Sequence, residues 1–459
     1  MYARVRYAGV RAVRLENRRV RKSLVSSNLT LSAIKTPLCD FARSSGSDFK
    51  PRNWSAATLD CLTLRATLMH SYQHSAHDTL PHSYRILKSI DDVVSIRTEW
   101  DRLWVSARAG YSLSFSYVYE SWNTILRPQG AELCCVVLIE NDRLLAALPM
   151  VLLRGKVCKC ASICTPAAAE GCDILVERST TSQAIANALL EKLLISARPD
   201  LINFYFVKSG CHLELAIQSL ARLRIVEAYD NAMPYADLKA EVDWASYKRS
   251  LSKHYESNVA RKTRRLHEQG EVTVEIVRGA STPAIGWLFL QKRKWSERTN
   301  KRGDWVFSPR YQEFVTKLFA SDPRFLVFVL KLDDSPIAVK LAAISSSFAS
   351  TMMITYDDRY ERFSPGNVLD EFVMRHIFEN YRDSDGRHLD IDFGPGREHF
   401  KLHWSRGNVH PTKSFIMAAS RLGLARLRFD QSRARVQRLA SSFLRAIRSR
   451  VMRESTVRQ

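Results

Sequence analysis

Apolar positions along the chain fall into two series of elements that run in the same order. SIDDVVSIRTEWDRLWVSA sets Val93, Ile96, Trp100, Leu103 and Trp104 at helical spacing behind a cap at Ser89 or Asp91. A second helical segment carries Phe115, Val118, Tyr119 and Trp122. ELCCVVLIE and LLAALPMVLLR are apolar runs around an NDR turn, which predicts a hairpin of buried strands. GCDILV is then expected as a strand, SQAIANALLEKLLISA as a helix and LINFYFV as a strand. The second series repeats this order. STPAIGWLFLQKRKW and SPRYQEFVTKLFA open helices on a Ser or Thr followed by Pro283 and Pro309. RFLVFVLKL and IAVKLAAIS flank a DDSP turn, and STMMITY, GNVLDEFVMRHIFENY and HLDIDF follow as strand, helix and strand. The pattern predicts an α/β protein with mixed sheets, built as a tandem pair of similar units.

Between the units, DWASYKRSLSKHYESNVARKTRRLHEQG predicts one long helix ended by Gly270, crowded with Lys248, Arg249, Lys253, Arg261, Lys262, Arg264 and Arg265. It suits either a solvated linker or the cationic flank of a cleft that takes an anionic ligand. The expected division is a basic N-terminal extension over 1–85, a first unit over 86–240, the linker over 241–271, a second unit over 272–418, and an Arg-rich helical tail over 419–459. Composition supports folded domains: 46 % of the 459 residues are hydrophobic and 25 % charged. Charge changes the picture more. Of the net +22, the residues before Met69 contribute 13 Lys and Arg against 4 acids, and those from Arg421 onward 11 Arg against 2 acids. The middle is left nearly balanced. The N-terminal stretch lacks an apolar core, which excludes a secretory signal and leaves an organellar transit peptide, a nucleic-acid arm or a start codon misassigned ahead of Met69. The tail suits a basic amphipathic helix on an anionic membrane surface or acidic partner, or a solvated end. With no apolar run long enough to span a bilayer, the expected location is cytoplasmic or peripheral to the inner face of the membrane. The nine cysteines contain no CxxC pair, so free thiols are expected.

Two stretches carry chemistry. In YERFSPGNVLDEF, Ser364, Pro365 and Gly366 start a helix directly after a strand, and the amides of about Gly366, Asn367 and Val368 are expected to point outward at a positive helix end where a pyrophosphate fits. In IDFGPGREHFKLHW a strand ends at Asp392, turns through Gly394, Pro395 and Gly396, and delivers Arg397, Glu398, His399 and Lys401 before Trp404. Gly394 and Gly396 suit backbone closed to other residues. Parallel pairing of the two strands would bring both loops to one sheet edge, where ligands bind in open α/β sheets. His399 and His403 share a helical face, but no third metal ligand is evident.

SPGNVL followed by IDFGPGREHFKLHW resembles the C-terminal GNAT domain of FemAB-like acyltransferases, especially the CelD-like bacterial acetyltransferases linked to exopolysaccharide and cellulose synthesis. The matching places are Asp392-Phe393, Gly396, Glu398, Phe400-Lys401 and Trp404, with Phe400 where the family has tyrosine. Arg261, Arg264, Arg265 and Trp295 also look like the family. The resemblance implies tandem GNAT-like domains joined by a basic helix. It also implies transfer of an acyl group from acetyl-CoA or another acyl-CoA to an amine or hydroxyl of a sugar or cell-envelope precursor, with no metal. On that reading Lys401, Asp392 and Glu398 are the catalytic candidates, the two carboxylates serving as base or holding Arg397 or Lys401 in ion pairs. Ser364, Gly366, Asn367 and Val368 would cradle the cofactor. Tyr356, Tyr360, Arg397, Trp404, Arg261 and Arg265 would contact substrate, with Asp357 beside them. The first unit, which lacks these motifs, is expected to be a catalytically silent scaffold forming one wall of the acceptor cleft.

Three other readings fit part of the pattern. One is transfer of an amino acid from aminoacyl-tRNA, against which stands the lack of a partner for the single basic helix. The second is a nucleic-acid-binding module gripping phosphates with its basic ends, and the third a non-catalytic scaffold that binds no acyl-CoA.

Overall fold

The structure, a computed structural model, describes residues 83–165, 171–220, 223–277, 283–300, 304–433 and 435–436; the expected extension before residue 83 and the tail beyond residue 436 lie outside them. The first unit opens with a strand ahead of Ser89, β1 (Ser83–Leu87). Helices α1 (Ile90–Ser95) and α2 (Arg97–Ser106) follow, and the Ser89 hydroxyl caps the first by accepting from the Asp91 amide at 3.1 Å. Helix α3 (Phe115–Glu120) runs on into a π turn, Ser121–Leu126. Strands β2 (Glu132–Glu140) and β3 (Arg143–Arg154) make the expected hairpin, with Asn141 and Asp142 both at positive φ, the backbone of a tight two-residue turn. Strands β4 (Lys159–Ile163) and β5 (Leu175–Val176), helix α4 (Ser182–Ala197) and strand β6 (Leu201–Lys208) complete the unit. Helix α5 (His212–Ser219) and the long strand β7 (Arg224–Ala236) lead out of it.

The basic linker is two helices rather than one: α6 (Trp244–Arg249) and α7 (Lys253–His267). The break follows from packing. Tyr247 and Leu251 are both buried in the core of the second unit, and Ser252, in extended backbone, restarts the helix in a new direction. The second unit then comprises β8 (Val272–Val277), α8 (Pro283–Thr299), α9 (Asp304–Phe307), α10 (Pro309–Ser321), β9 (Phe325–Leu332), β10 (Ser335–Ile344), β11 (Phe348–Tyr356), α11 (Pro365–Asn380), β12 (Asp390–Asp392), α12 (His399–Trp404) and β13 (Val409–Ala418). Its hairpin turns through Asp333 and Asp334, again both at positive φ.

Among the described residues thirteen strands form one mixed sheet, in the order β1-β2-β3-β4-β6-β13-β7-β12-β11-β10-β9-β8, with β5 set against β3. Each unit is an antiparallel meander of four strands followed by a helical crossover to a parallel fifth: β4 with β6 across α4, and β11 with β12 across α11. The duplication expected from the element order is therefore present, with one correction. The counterpart of STMMITY is β4, KCASI, and not GCDILV, of which only Leu175 and Val176 form a strand. Strand β13 inserts between β6 and β7, antiparallel to both, and Ala236 and Tyr235 of β7 pair with Ile391 and Asp392 of β12. The units thus share one continuous backbone ladder. Separate apolar clusters cover the two faces of the second half, and Tyr111 and Tyr117 from the first unit reach one of them, with ring centroids 6.0 Å from Phe325 and 5.2 Å from Phe314.

Candidate active site

Strand β11 pairs with β12 only over Phe348, Ala349 and Ser350, then runs on to Tyr356 without it. On its other side a bulge interrupts the pairing with β10: Met352 and Met353 together stand opposite Leu341, which bends the strand and takes one amide out of the ladder. The opening is a narrow cleft lined by Lys340, Thr351, Met352, Ile354, Phe393 and Lys401, among others. The first unit differs among the described residues. Its β3–β4 register is regular, and Cys172 bridges Val207 while β5 lies on β3, so the chain itself fills the equivalent space.

The Gly-Pro-Gly turn closes one side of the cleft. Asp392 is buried and its Oδ1 accepts from the Gly394 amide at 2.7 Å. Phe393 and Gly396 donate to Pro234 and Ala232 of β7, both at 3.0 Å, which lays the turn along that strand. Gly394 has φ 67° and Gly396 φ 118°. At Gly396 a side chain meets a second obstacle, since an added Cβ would sit 2.4 Å from the Glu398 carboxylate folded back over the turn. Lys401, one helical turn further on, places Nζ 3.2 Å from Glu398 Oε2 and donates to the Pro395 carbonyl at 2.7 Å. It is 3 % exposed, so it is no surface lysine, and burial holds its pKa below the usual lysine value. Of the two ion pairs expected of the carboxylates, Glu398 does hold Lys401. Asp392 instead lies 3.4 Å from Lys208, the last residue of β6 in the first unit.

The helix start at the mouth of the cleft differs from expectation. Ser364 sits in left-handed backbone, φ 51°, and its carbonyl accepts from both Asn367 at 2.9 Å and Val368 at 3.3 Å. Those two amides are therefore closed into the first turn, and Val368 is buried in the core. Among the described contacts the Gly366 amide is the one left over, at a helix end made positive by its dipole. Lys262 of α7 supplies the second positive group, with Nζ 2.5 Å from Ser364 Oγ and its pKa lowered by burial and by Arg261. Named from the sequence as one of the basic run suited to flank a cleft but not singled out as a site residue, it is the only lysine of that run that reaches the helix start among the described hydrogen bonds.

The remaining candidates scatter. Tyr356 is half-buried beside Gly366, its phenol raised by burial. Tyr360 lies under the Arg359 guanidinium, which Asp357 holds at 2.7 Å. Arg397, Arg261 and Arg265 are exposed, and Arg261 bonds Asn258 at 2.9 Å. Trp404 is a core residue, 1 % exposed, stacked near Trp244 and Tyr247 and accepting the Tyr247 hydroxyl at its carbonyl. That burial sets it in the core rather than among the residues that line the cleft, where a substrate contact was expected. His403 does not pair with His399 toward a metal: its Nε2 is 2.9 Å from Glu256 Oε1 and its ring lies on Tyr255 at 3.8 Å. Among the described residues no group of three metal-ligating side chains occurs. Sequence reasoning also missed the buried ion pair of Lys340 with Asp370 under the cleft, whose signal was a lone lysine in the apolar run IAVKLAAIS.

An open strand edge, a bulge and a helix start with Lys262 beside it thus lie together in the second unit. Residues 253–402, from the start of α7 into α12, match the family model of the acetyltransferase (GNAT) domain. Among solved structures the chain is similar to FemX, at 11 % identity over 70 % of this chain and 95 % of that one, with a TM-score of 0.48. It is similar also to a conserved protein of unknown function from Bacteroides thetaiotaomicron, at 12 % identity over 73 % and 99 % of the two chains, TM-score 0.46. A third likeness is to a tandem GNAT protein from the clavulanic acid biosynthesis pathway, at 11 % identity over 74 % and 99 %, TM-score 0.40. No curated protein matches the chain. Among the described residues no helix is long and apolar enough to cross a membrane.

Proposed function

We propose that the chain transfers an acetyl or longer acyl group from acyl-CoA to an amine or hydroxyl of a sugar or cell-envelope precursor, in the cytoplasm. The observation that carries this reading is the open edge of β11, with its bulge at Met352–Met353 and the α11 start beside it, inside the stretch that matches the GNAT family. The Gly366 amide and Lys262 suit the pyrophosphate, and the open edge suits the extended pantetheine arm. The amide freed at the bulge suits the thioester oxygen, whose charge grows as the acceptor adds. The acceptor nitrogen or oxygen bonds to the acyl carbon, the C–S bond breaks, and the acceptor's proton passes to a carboxylate and on to the departing thiolate. Asp392 and Glu398 are the carboxylates at the turn. Lys401, already bonded to the turn, holds its shape and offsets the charge of Glu398. The acceptor class rests on the resemblance of SPGNVL and IDFGPGREHFKLHW to FemAB-like and CelD-like bacterial enzymes. Melting the protein with CoA, acetyl-CoA and longer acyl-CoAs tests the donor half, because a ligand bound only by the folded state raises the melting temperature. A rise followed by thiol release with an amino-sugar or polyol acceptor is the expected result. No shift with any acyl-CoA would overturn the reading.

A further inference from the structure

Residues 421–433 and 435–436, following β13, are helical and lie against the sheet by one side only. Leu427 is fully buried and Leu424 partly so, packed with Leu201, Val226, Ile416 and Ala418. The opposite side carries a second apolar stripe that no described residue covers: Leu422 is 47 % exposed, Phe429 63 % and Val436 65 %. Seven-residue spacing on a straight helix drifts by only about 20° per step, so the three side chains form one line. Arginines border the line on both sides. Arg421, Arg428 and Arg435 repeat at the same interval along one edge, Arg433 stands on the other, and all four are exposed. The one acid of this segment, Asp430, is buried and already bound to Arg426 at 2.8 Å. None of the four exposed arginines has an acidic partner among the described ion pairs.

Scattered exposed apolar residues need no explanation, but a continuous apolar line between two uncompensated cationic edges does. A stripe meant for a second protein of ordinary surface gains nothing from unpaired arginines on both flanks. An anionic bilayer satisfies both features at once: the phosphates meet the guanidinium edges, and Phe429, Leu422 and Val436 enter the acyl boundary. We propose that this helix docks the protein, lying in the plane of the interface, on a membrane of anionic phospholipid. Nothing in this depends on the acyl-transfer reading.

The test uses the full chain and vesicles of phosphatidylcholine with or without roughly one-third phosphatidylglycerol, separated by flotation at low and high salt. Wild type is expected to float with the anionic vesicles, to release them at high salt, and to ignore neutral ones. Phe429→Ser is expected to weaken binding on the order of tenfold through lost apolar contact. Arg421→Gln with Arg428→Gln and Arg435→Gln is expected to weaken it on the order of 100-fold. These positions are exposed, so unchanged melting curves would show that the variants stay folded. Equal partition into neutral and anionic vesicles, or Phe429→Ser floating like wild type, would overturn the proposal. So would concentration-dependent dimers dissolved by Phe429→Ser, which would make the occupant a second copy. Duplex DNA binding lost with the arginines, without any vesicle binding, would make it nucleic acid.

Discussion

Lys208, the last residue of β6, holds its ammonium 3.4 Å from Asp392, the last residue of β12, so a side chain of the first unit braces the carboxylate that organises the Gly394 turn of the second. The Lys208 stem lies along Gly171, and its ammonium sits 5.0 Å above the Phe348 ring. Lys208→Met is expected to lower kcat on the order of tenfold with acyl-CoA affinity changed by less than about twofold. Lys208→Arg should restore most of the loss. Steady-state kinetics beside equilibrium titration separates the two quantities, and equal losses in both would argue against a positioning role.

Lys262 and the start of α11 are expected to read the phosphate end of the donor. Lys262→Ala should raise the dissociation constant of CoA by about tenfold, the scale of one lost charge-assisted bond. Pantetheine, which carries no pyrophosphate, should bind both proteins alike. Calorimetric titration of the two ligands checks this.

Gly396 combines positive φ with a close neighbour. Gly396→Ala is expected to cost about 2 kcal/mol, from left-handed backbone and from displacing the Glu398 carboxylate that meets the new Cβ. Urea unfolding measures the loss. A companion Glu398→Ala change should recover part of it, since it removes the obstructing atoms.

Lys340 and Asp370 are a buried pair, about 3 % exposed each. Asp370→Leu leaves a buried ammonium and is expected to destabilise by about 3–5 kcal/mol. The double change Lys340→Met with Asp370→Leu should lie much closer to wild type. A double-mutant cycle on melting curves decides whether charge or packing matters there.

Acid should loosen the joint between the linker and the turn. Burial pushes the Glu256 carboxyl up, but its bonds to His403 and Lys248 more than offset this and leave its pKa below the ordinary 4.5. The folded state therefore binds this proton less readily than the unfolded state. The resulting stability is fully present above pH 4.5 and is lost as pH falls through the lower folded value. Unfolding free energy measured from pH 6 down to the onset of acid unfolding should fall less steeply in Glu256→Gln than in wild type.

The parts legible in sequence were those with a local signature. The hairpins announced themselves through apolar runs around Asn141-Asp142 and Asp333-Asp334, and the Gly394 and Gly396 turn through residue types that few other backbones require. Strands β7 and β13 stayed hidden because Asp230, Asn231 and Pro234 break the alternation of one and His410, Pro411 and Lys413 that of the other. Their pairing comes from each other and from strands remote in sequence. The same distance hid the site's polar contacts. Nothing local couples Lys208 to Asp392, Lys262 to Ser364, or Lys340 to Asp370. Trp404 carried a motif-like position into a core role because Tyr247 and Trp244, far upstream, fold over it.

The insertion of β13 between β6 and β7 sets a timetable for synthesis. The first unit's sheet stays incomplete until Ala418 has left the ribosome, so β6 and β7 each present an unpaired edge while the whole second unit is being made. Ribosome-bound chains halted before residue 409 should remain sensitive to protease and apt to associate through those edges. Protection of those two edges thus waits for β13, the last strand of the sheet to be made.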